Sequence, residues 1–97
     1  MSSSFSNNAL TGEIALVTGA SRGIGAAIAE ALACAGATVI GTATSEGGAA
    51  GISDTLGDGG RGLVLNISDA ESVAIAVKDI QDNEGSPTIV VNNAGIT

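Results

Sequence analysis

Aromatic side chains are almost missing from these 97 residues: there is one Phe, no Tyr and no Trp. A core must therefore be built from Ala, Val, Ile and Leu, which suits a parallel sheet covered by helices on both faces. Histidine is absent, and Cys34 stands alone. A single cysteine forms no internal disulfide, and no Cys/His spacing for a metal exists. Cys34 lies in the run Ala31-Leu32-Ala33-Cys34-Ala35, where a small, half-buried thiol is expected to pack. Positive charge is also scarce. Arg22, Arg61 and Lys78 stand against ten carboxylates, for a net charge of −7. The clustered Lys and Arg of a nucleic-acid surface, or of an electrostatically held membrane contact, are not there. Residues 1–9 are mostly Ser and Asn and uncharged, without the basic-then-apolar order of a signal peptide. No apolar run is long enough to span a membrane. A flexible lead over residues 1–9 and a reducing, cytoplasmic setting are expected.

What the chain has is glycine, 15 residues of it, and an apolar fraction of 44%. One stretch uses three glycines with purpose: Thr18-Gly19-Ala20-Ser21-Arg22-Gly23-Ile24-Gly25. The apolar run Ile14-Ala15-Leu16-Val17 leads into it, and Ile24, Ile28 and Leu32 leave it at helical spacing. Strand, glycine turn and helix are the layout of a dinucleotide site. Gly19 lets the chain leave the strand in a conformation that a Cβ opposes. Gly23 leaves room for a pyrophosphate against the backbone, and Gly25 lets the helix pack close to the strand. The free N–H groups of the helix then face the phosphates, backed by the helix dipole.

The rest of the chain alternates strand and helix. The first helix is expected over residues 23–35, with Gly36 stopping it. The second strand is expected over residues 37–42. A second helix over residues 47–56 is weakened by Gly47, Gly48 and Gly51, each costing about 1 kcal/mol relative to Ala. Gly57-Asp58-Gly59-Gly60 reads as a loop and Leu63-Val64-Leu65 as the third strand. Ser68 and Glu71 form a capping-box pattern ahead of a helix whose Val73, Val77 and Ile80 share a face. Asp79, Asp82 and Glu84 are expected to face solvent. Pro87 comes after the end of that helix, and Thr88–Val91 reads as the fourth strand. Right-handed crossovers make the sheet parallel, with strand order 3-2-1-4. The fold class is α/β, a Rossmann-type doubly wound parallel sheet truncated after the fourth strand, over residues 10–97. The crevice lies between the first and fourth strands at their carboxyl ends.

The nucleotide is expected to be NADP(H) rather than NAD(H). NAD sites in such folds place Asp or Glu at the end of the second strand, for the ribose hydroxyls. Here that end is Gly41-Thr42-Ala43-Thr44-Ser45, with no acid before Glu46. Arg22, in the glycine turn, offers a planar fork of donors to a 2′-phosphate, and Thr44 and Ser45 add hydroxyls. A solvated surface cation is the competing role for Arg22. Asn66-Ile67 comes after the third strand, where adenine is expected. A carboxamide can both donate and accept along a base edge, although a turn leading to Ser68 is a serious competitor. Asn92-Asn93-Ala94-Gly95 ends the fourth strand, where two amides can tie strands together.

Thr18-Gly19-x-x-x-Gly23-x-Gly25 together with Asn92-Asn93-Ala94-Gly95 resembles the short-chain dehydrogenase/reductase family, and the match covers nearly all of residues 10–97. The resemblance implies that Gly19, Ala20, Ser21, Arg22, Gly23, Ile24 and Gly25 bind cofactor, with Thr44, Asn66 and Ile67. It implies that Asn93, Ala94 and Gly95 border the cofactor ribose. The family often has Asp four positions before the first Asn; Thr88 stands there, which is expected to weaken a contact near the adenine side. Three longer segments, residues 14–25, 39–46 and 91–97, resemble the branch that uses NADPH to reduce 3-oxoacyl thioesters on acyl-carrier protein in fatty acid synthesis. Members are commonly homotetramers. The family's catalytic Ser and Tyr-x-x-x-Lys lie beyond the fourth strand, and this chain has no Tyr at all. No catalytic residue is expected within it, and the chain alone is expected to be inactive. Other members, acting on alcohols, sugars or steroids, and a non-catalytic NADP-binding module are the alternative readings.

Overall fold

The computed structural model describes residues 9–21, 23–66 and 68–93. Eight elements run in order: β1 (Ile14–Val17), α1 (Gly23–Cys34), β2 (Thr38–Ala43), α2 (Glu46–Leu56), a single 3-10 turn (Gly57–Gly59), β3 (Gly60–Val64), α3 (Ala70–Asn83) and β4 (Ile89–Val91). The four strands form one parallel sheet in the order β3-β2-β1-β4, as expected for a Rossmann-type fold. Leu16 of β1 lies level with Ile40 of β2 and Val90 of β4. Strands one and four therefore end side by side, and the segments leaving their carboxyl ends share a crevice.

One sheet face is packed with small side chains. Ala15 and Val17 of β1 and Val39 and Ala43 of β2 meet Ala29 of α1 and Ile52 and Leu56 of α2. Alanine at these positions brings helix and sheet backbones close, so aromatic side chains are not needed to fill the layer. Ile28 and Leu32 of α1 pack against the same cluster, as their spacing predicts. Ile24, expected to continue that stripe, is 70% exposed at the start of the helix. Cys34, the last residue of α1, is also exposed instead of half-buried, while the next residue, Ala35, is buried.

Helix α2 forms despite its glycines. Ser45 caps it, its hydroxyl oxygen accepting a hydrogen bond from Gly48 N at 3.1 Å. Ala49, Ile52 and Leu56 bury one stripe. The third strand starts three residues earlier than expected, at Gly60, and only Gly57–Gly59 remain as a turn. The glycines there meet a packing need. A Cβ on Gly62 would collide with the Ala49 carbonyl of α2, whose backbone lies directly against the strand. Leu65 lies just past the strand but keeps its ladder bond to Ala43 O at 2.9 Å.

Helix α3 covers the opposite face. Its buried side chains are Ala76 and Ile80, while Val77 is 37% exposed. Asp69, not Ser68, caps this helix, accepting from Glu71 N at 3.0 Å. Asp caps as well as Ser does, and the Ser68 hydroxyl is engaged by Asn66. Asp79 and Glu84 were expected in solvent, yet both grip Arg61. Gly60 and Gly62 face α2, so Arg61 between them points to the α3 side. Its Nε donates to Glu84 Oε2 at 2.7 Å, its Nη2 to Glu84 Oε1 at 3.1 Å and its Nη1 to Asp79 Oδ2 at 3.2 Å. The Glu84 bonds raise the guanidinium pKa above its ordinary value, against the opposing effect of burial. A raised basic pKa stabilises the fold below the unfolded value and is lost only above the folded one. The guanidinium of the clamp thus keeps its charge at any working pH.

Candidate functional site

The site grows from the end of β1. Thr18 is 6% exposed and its backbone N–H donates to Val91 O at 3.0 Å, extending the β1–β4 pairing by one residue. Its hydroxyl accepts from Asn93 N at 2.9 Å. The hydroxyl proton faces Asn92 Oδ1 at 3.2 Å and Val91 O at 3.4 Å. Asn93 Nδ2 donates to Gly19 O at 3.1 Å, and Ala20 N donates to Thr42 O at 2.9 Å. The glycine turn is therefore tied to β4 on one side and β2 on the other. The strand-tying role of the two amides, expected from sequence, is what the geometry shows for Asn92 and Asn93. Thr18 is the partner that sequence reasoning passed over. Its signal is a polar side chain closing an apolar strand immediately before the first glycine.

The glycines divide their tasks. Gly23 has φ +67°, and a Cβ there would meet nothing within 4 Å. It supplies a left-handed corner with open space in front of it. Gly25 is the opposite case. A Cβ there would collide with the Gly19 carbonyl oxygen and lie 2.6 Å from Asn93 Nδ2. Gly25 therefore permits the contact between α1 and the turn. The first turn of α1 carries no acidic side chain, whereas α2 and α3 begin with Glu46 and Glu71. Its N-terminal partial charge has no carboxylate of its own to meet.

The start of α2 lies beside this turn. A Cβ at Gly48 would be 3.5 Å from Ser21 Cβ and 3.3 Å from Ser45 Oγ. Ser21 and Ser45 thus flank the same spot, and Thr44 is exposed next to them. Glu46 is the nearest carboxylate in sequence, and it is exposed as the first residue of α2. Asn66, exposed past the end of β3, accepts with Oδ1 from Ser68 N at 3.1 Å and from Ser68 Oγ at 2.6 Å. Its own N–H donates to Ser72 Oγ at 3.2 Å. The turn reading of Asn66 is thus present in the fold. Thr88 has a structural partner of its own. Its hydroxyl and N–H bond Ile14 at the start of β1, the end of the sheet away from the crevice. Arg22, Ile67, Ala94 and Gly95 lie outside the described residues. Among the described residues no cluster of three or more His, Cys, Asp or Glu could hold a metal, and no helix is long and apolar enough to cross a membrane.

Known proteins are similar to this chain in sequence. The family model described as short chain dehydrogenase matches residues 13–97. The 3-oxoacyl-[acyl-carrier-protein] reductase of Vibrio harveyi is 66% identical over 88 residues, which are 91% of this chain and 36% of that protein. The protein of the same name from Escherichia coli K12 is 62% identical over 86 residues, 89% of this chain and 35% of its own length. That from Pseudomonas aeruginosa is 60% identical over 91 residues, 91% of this chain and 37% of its own length. The chain spans about a third of the length of these relatives. With both glycine and asparagine motifs inside the matched span, and the parallel sheet that brings them together, the chain belongs to the short-chain dehydrogenase family.

Proposed function

We propose that this chain is the cofactor-binding N-terminal part of a reductase that uses NADPH to convert 3-oxoacyl-[acyl-carrier-protein] to 3-hydroxyacyl-[acyl-carrier-protein]. The observation that carries the proposal is the turn itself. Gly23 presents an open left-handed corner in front of α1, while Asn93 and Gly25 fix the backbone behind it. The bound dinucleotide supplies a hydride; the residues of this chain hold and orient it. Gly19, Ala20, Ser21, Gly23, Ile24 and Gly25 line the pyrophosphate side. Ile24, exposed at the first turn of α1, offers its apolar surface there. Arg22 and Thr44 take the 2′-phosphate. Asn66 and Ile67 meet adenine, and Asn93, Ala94 and Gly95 border a ribose. The 66% identity to the Vibrio harveyi reductase supports the substrate assignment. Residues 10–97 form the folded part, and residues 1–9 a lead. In this reading the whole enzyme works in the cytoplasm as a homotetramer, with an acyl-carrier protein thioester as its partner.

The preference for NADPH rests on charge. No carboxylate lies at Thr44 or Ser45, where one would repel a 2′-phosphate. Calorimetric titration of the chain should give at least tenfold tighter binding of NADPH than of NADH, matching one charge-assisted contact of about 1.5–3 kcal/mol. Arg22→Ala should close most of that gap. Equal weakening of both cofactors would remove Arg22 from the 2′-phosphate.

The 97 residues contain no Tyr, so the proton donor of the family is not among them. Loss of a positioned acid alone lowers rates about 10²–10⁴-fold. The chain alone should therefore show no NADPH oxidation with a 3-oxoacyl thioester, followed by absorbance at micromolar enzyme. Measurable turnover would overturn this assignment of roles.

A further inference from the structure

Of the five Asp residues in the chain, only Asp58 is followed by glycine; Thr55, Ala70, Ile80 and Asn83 come after the others. Asp54, Asp79 and Asp82 lie inside α2 and α3, and Asp69 caps α3. The carboxylates of Asp69, Asp79 and Asp82 are also engaged, by Glu71 N, Arg61 and Lys78. Asp58 differs on each count. It is exposed in the middle of the single 3-10 turn, and its carboxylate meets no hydrogen-bond or ion-pair partner among the described residues. Gly57 before it has φ +55°, and a Cβ there would meet nothing within 4 Å. Gly59 after it has no Cβ to shield its own amide nitrogen. A lone 3-10 turn has poor hydrogen-bond geometry, and flanking glycines let it open at little cost.

We propose that Asp58-Gly59 is a site of spontaneous isoaspartate formation, a modification that lengthens the main chain at the entry to β3. When the turn opens, Gly59 N attacks Asp58 Cγ. The N–Cγ bond forms, the nitrogen gives up its proton, the Cγ–OH bond breaks and one water leaves. The product is a five-membered succinimide. Water then adds to one of its two carbonyls. Opening at Cγ restores Asp58. Opening at the main-chain carbonyl leaves the chain running through Cβ and Cγ, with the former main-chain carbon as a free carboxylate. One water leaves and one returns, so the mass is unchanged and no other reactant is consumed. The added main-chain carbon arrives where there is no slack. Gly60 pairs with Val39, a Cβ on it would collide with Val39 O, and Leu56 Cδ1 would lie 3.1 Å away. The modified turn therefore pushes β3 off its register with β2 and loosens that edge of the sheet. Cofactor binding plays no part, so this site stands or falls apart from the function proposed above.

The test incubates the folded chain at neutral pH, then digests it with an endoprotease that cuts before Asp but not before isoaspartate. Peptide uncut at position 58, with unchanged mass, should accumulate, and none should appear at the other four Asp residues. Asp58→Glu should abolish it, because the ring would need a sixth member. Asp58→Asn should react faster, ammonia leaving in place of water. It should yield the same proportion of isoaspartate to Asp, since both routes pass through one succinimide. Chain carrying isoaspartate, separated by reversed-phase chromatography and refolded, should unfold at lower urea than unmodified chain treated alike. Isoaspartate that forms in urea but not in the folded chain would show that the turn stays shut, and would overturn the proposal. So would isoaspartate spread evenly over the five Asp residues, or Asp58→Asn converting to Asp alone. Equal urea midpoints would overturn the effect on β3.

Discussion

Gly25→Ala should destabilise the chain by about 3 kcal/mol, the upper part of the range for forcing an atom into a filled space. It should also weaken NADPH binding by at least tenfold. The added methyl would enter the Gly19 carbonyl oxygen, with the Gly19 carbonyl carbon 2.9 Å away and Asn93 Nδ2 2.6 Å away. Asn93 could swing aside, but its hydrogen bond to Gly19 O would then be lost. The Gly19 carbonyl has less freedom still. Its strand is held by Thr18 to Val91, and the next residue by Ala20 to Thr42. What gives is the approach of α1 to the turn, and with it the cradle in front of Gly23. Urea unfolding reads the first effect and NADPH titration the second. Gly47→Ala is the control, since nothing lies within 4 Å of that position in α2. It should raise stability by up to about 1 kcal/mol through helix propensity. If Gly25→Ala behaves like Gly47→Ala, the close contact between α1 and the glycine turn is not what holds the site.

Ile80→Ala should cost about 3 kcal/mol, within the range for truncating a fully buried aliphatic side chain. Ile80 has no exposed surface, and it is the only large side chain that α3 buries completely. The other buried residue, Ala76, is small, and Ile75 is 64% exposed. The remaining grip on α3 comes from Arg61 through Asp79 and Glu84, with the Arg61 side chain itself 30% exposed. Ion pairs this open to solvent contribute about 1 kcal/mol or less. Packing at one residue therefore outweighs the charged clamp. Hydrogen exchange should show α3 losing protection first, ahead of β1 and β2. Ile75→Ala should change stability by less than about 0.5 kcal/mol. Equal costs at positions 75 and 80 would mean that α3 is anchored elsewhere.

The order of elements and the strand order were legible because each rests on a strong signal. Ile14–Val17 is an unbroken apolar run, and the glycine turn after it has one familiar use. The third strand was harder to see. Gly60 and Gly62 have the composition of a loop, and only the nearness of Ala49 explains why a strand needs glycine at position 62. Periodicity placed Ile24 in the core, but a helix that starts at the crevice leaves its first turn uncovered. Asp79 and Glu84 looked like solvated charge because their partner, Arg61, stands 18 and 23 residues away. At the site, the spacing of Gly25 foretold its close approach, and the paired amides foretold the tie between strands. The residues at Asn66 suit a turn as well as a base contact, and the two hydrogen bonds from Ser68 that form the turn depend on side-chain geometry. Thr88 occupies a position where the family often has Asp, but its place at the foot of β1 gives it a different partner.

Ser53 of α2 accepts a hydrogen bond from Gly62 N at 2.8 Å. Leu65 N points toward β2, so by strand alternation the Gly62 N–H points away from it, off the side of the sheet. An incoming strand would look for that donor and find it already taken, with a helix standing over the place. The fold thus guards its β3 flank at Gly62, which disfavours sideways growth of the sheet at that point, whether by its own chain or by a neighbour.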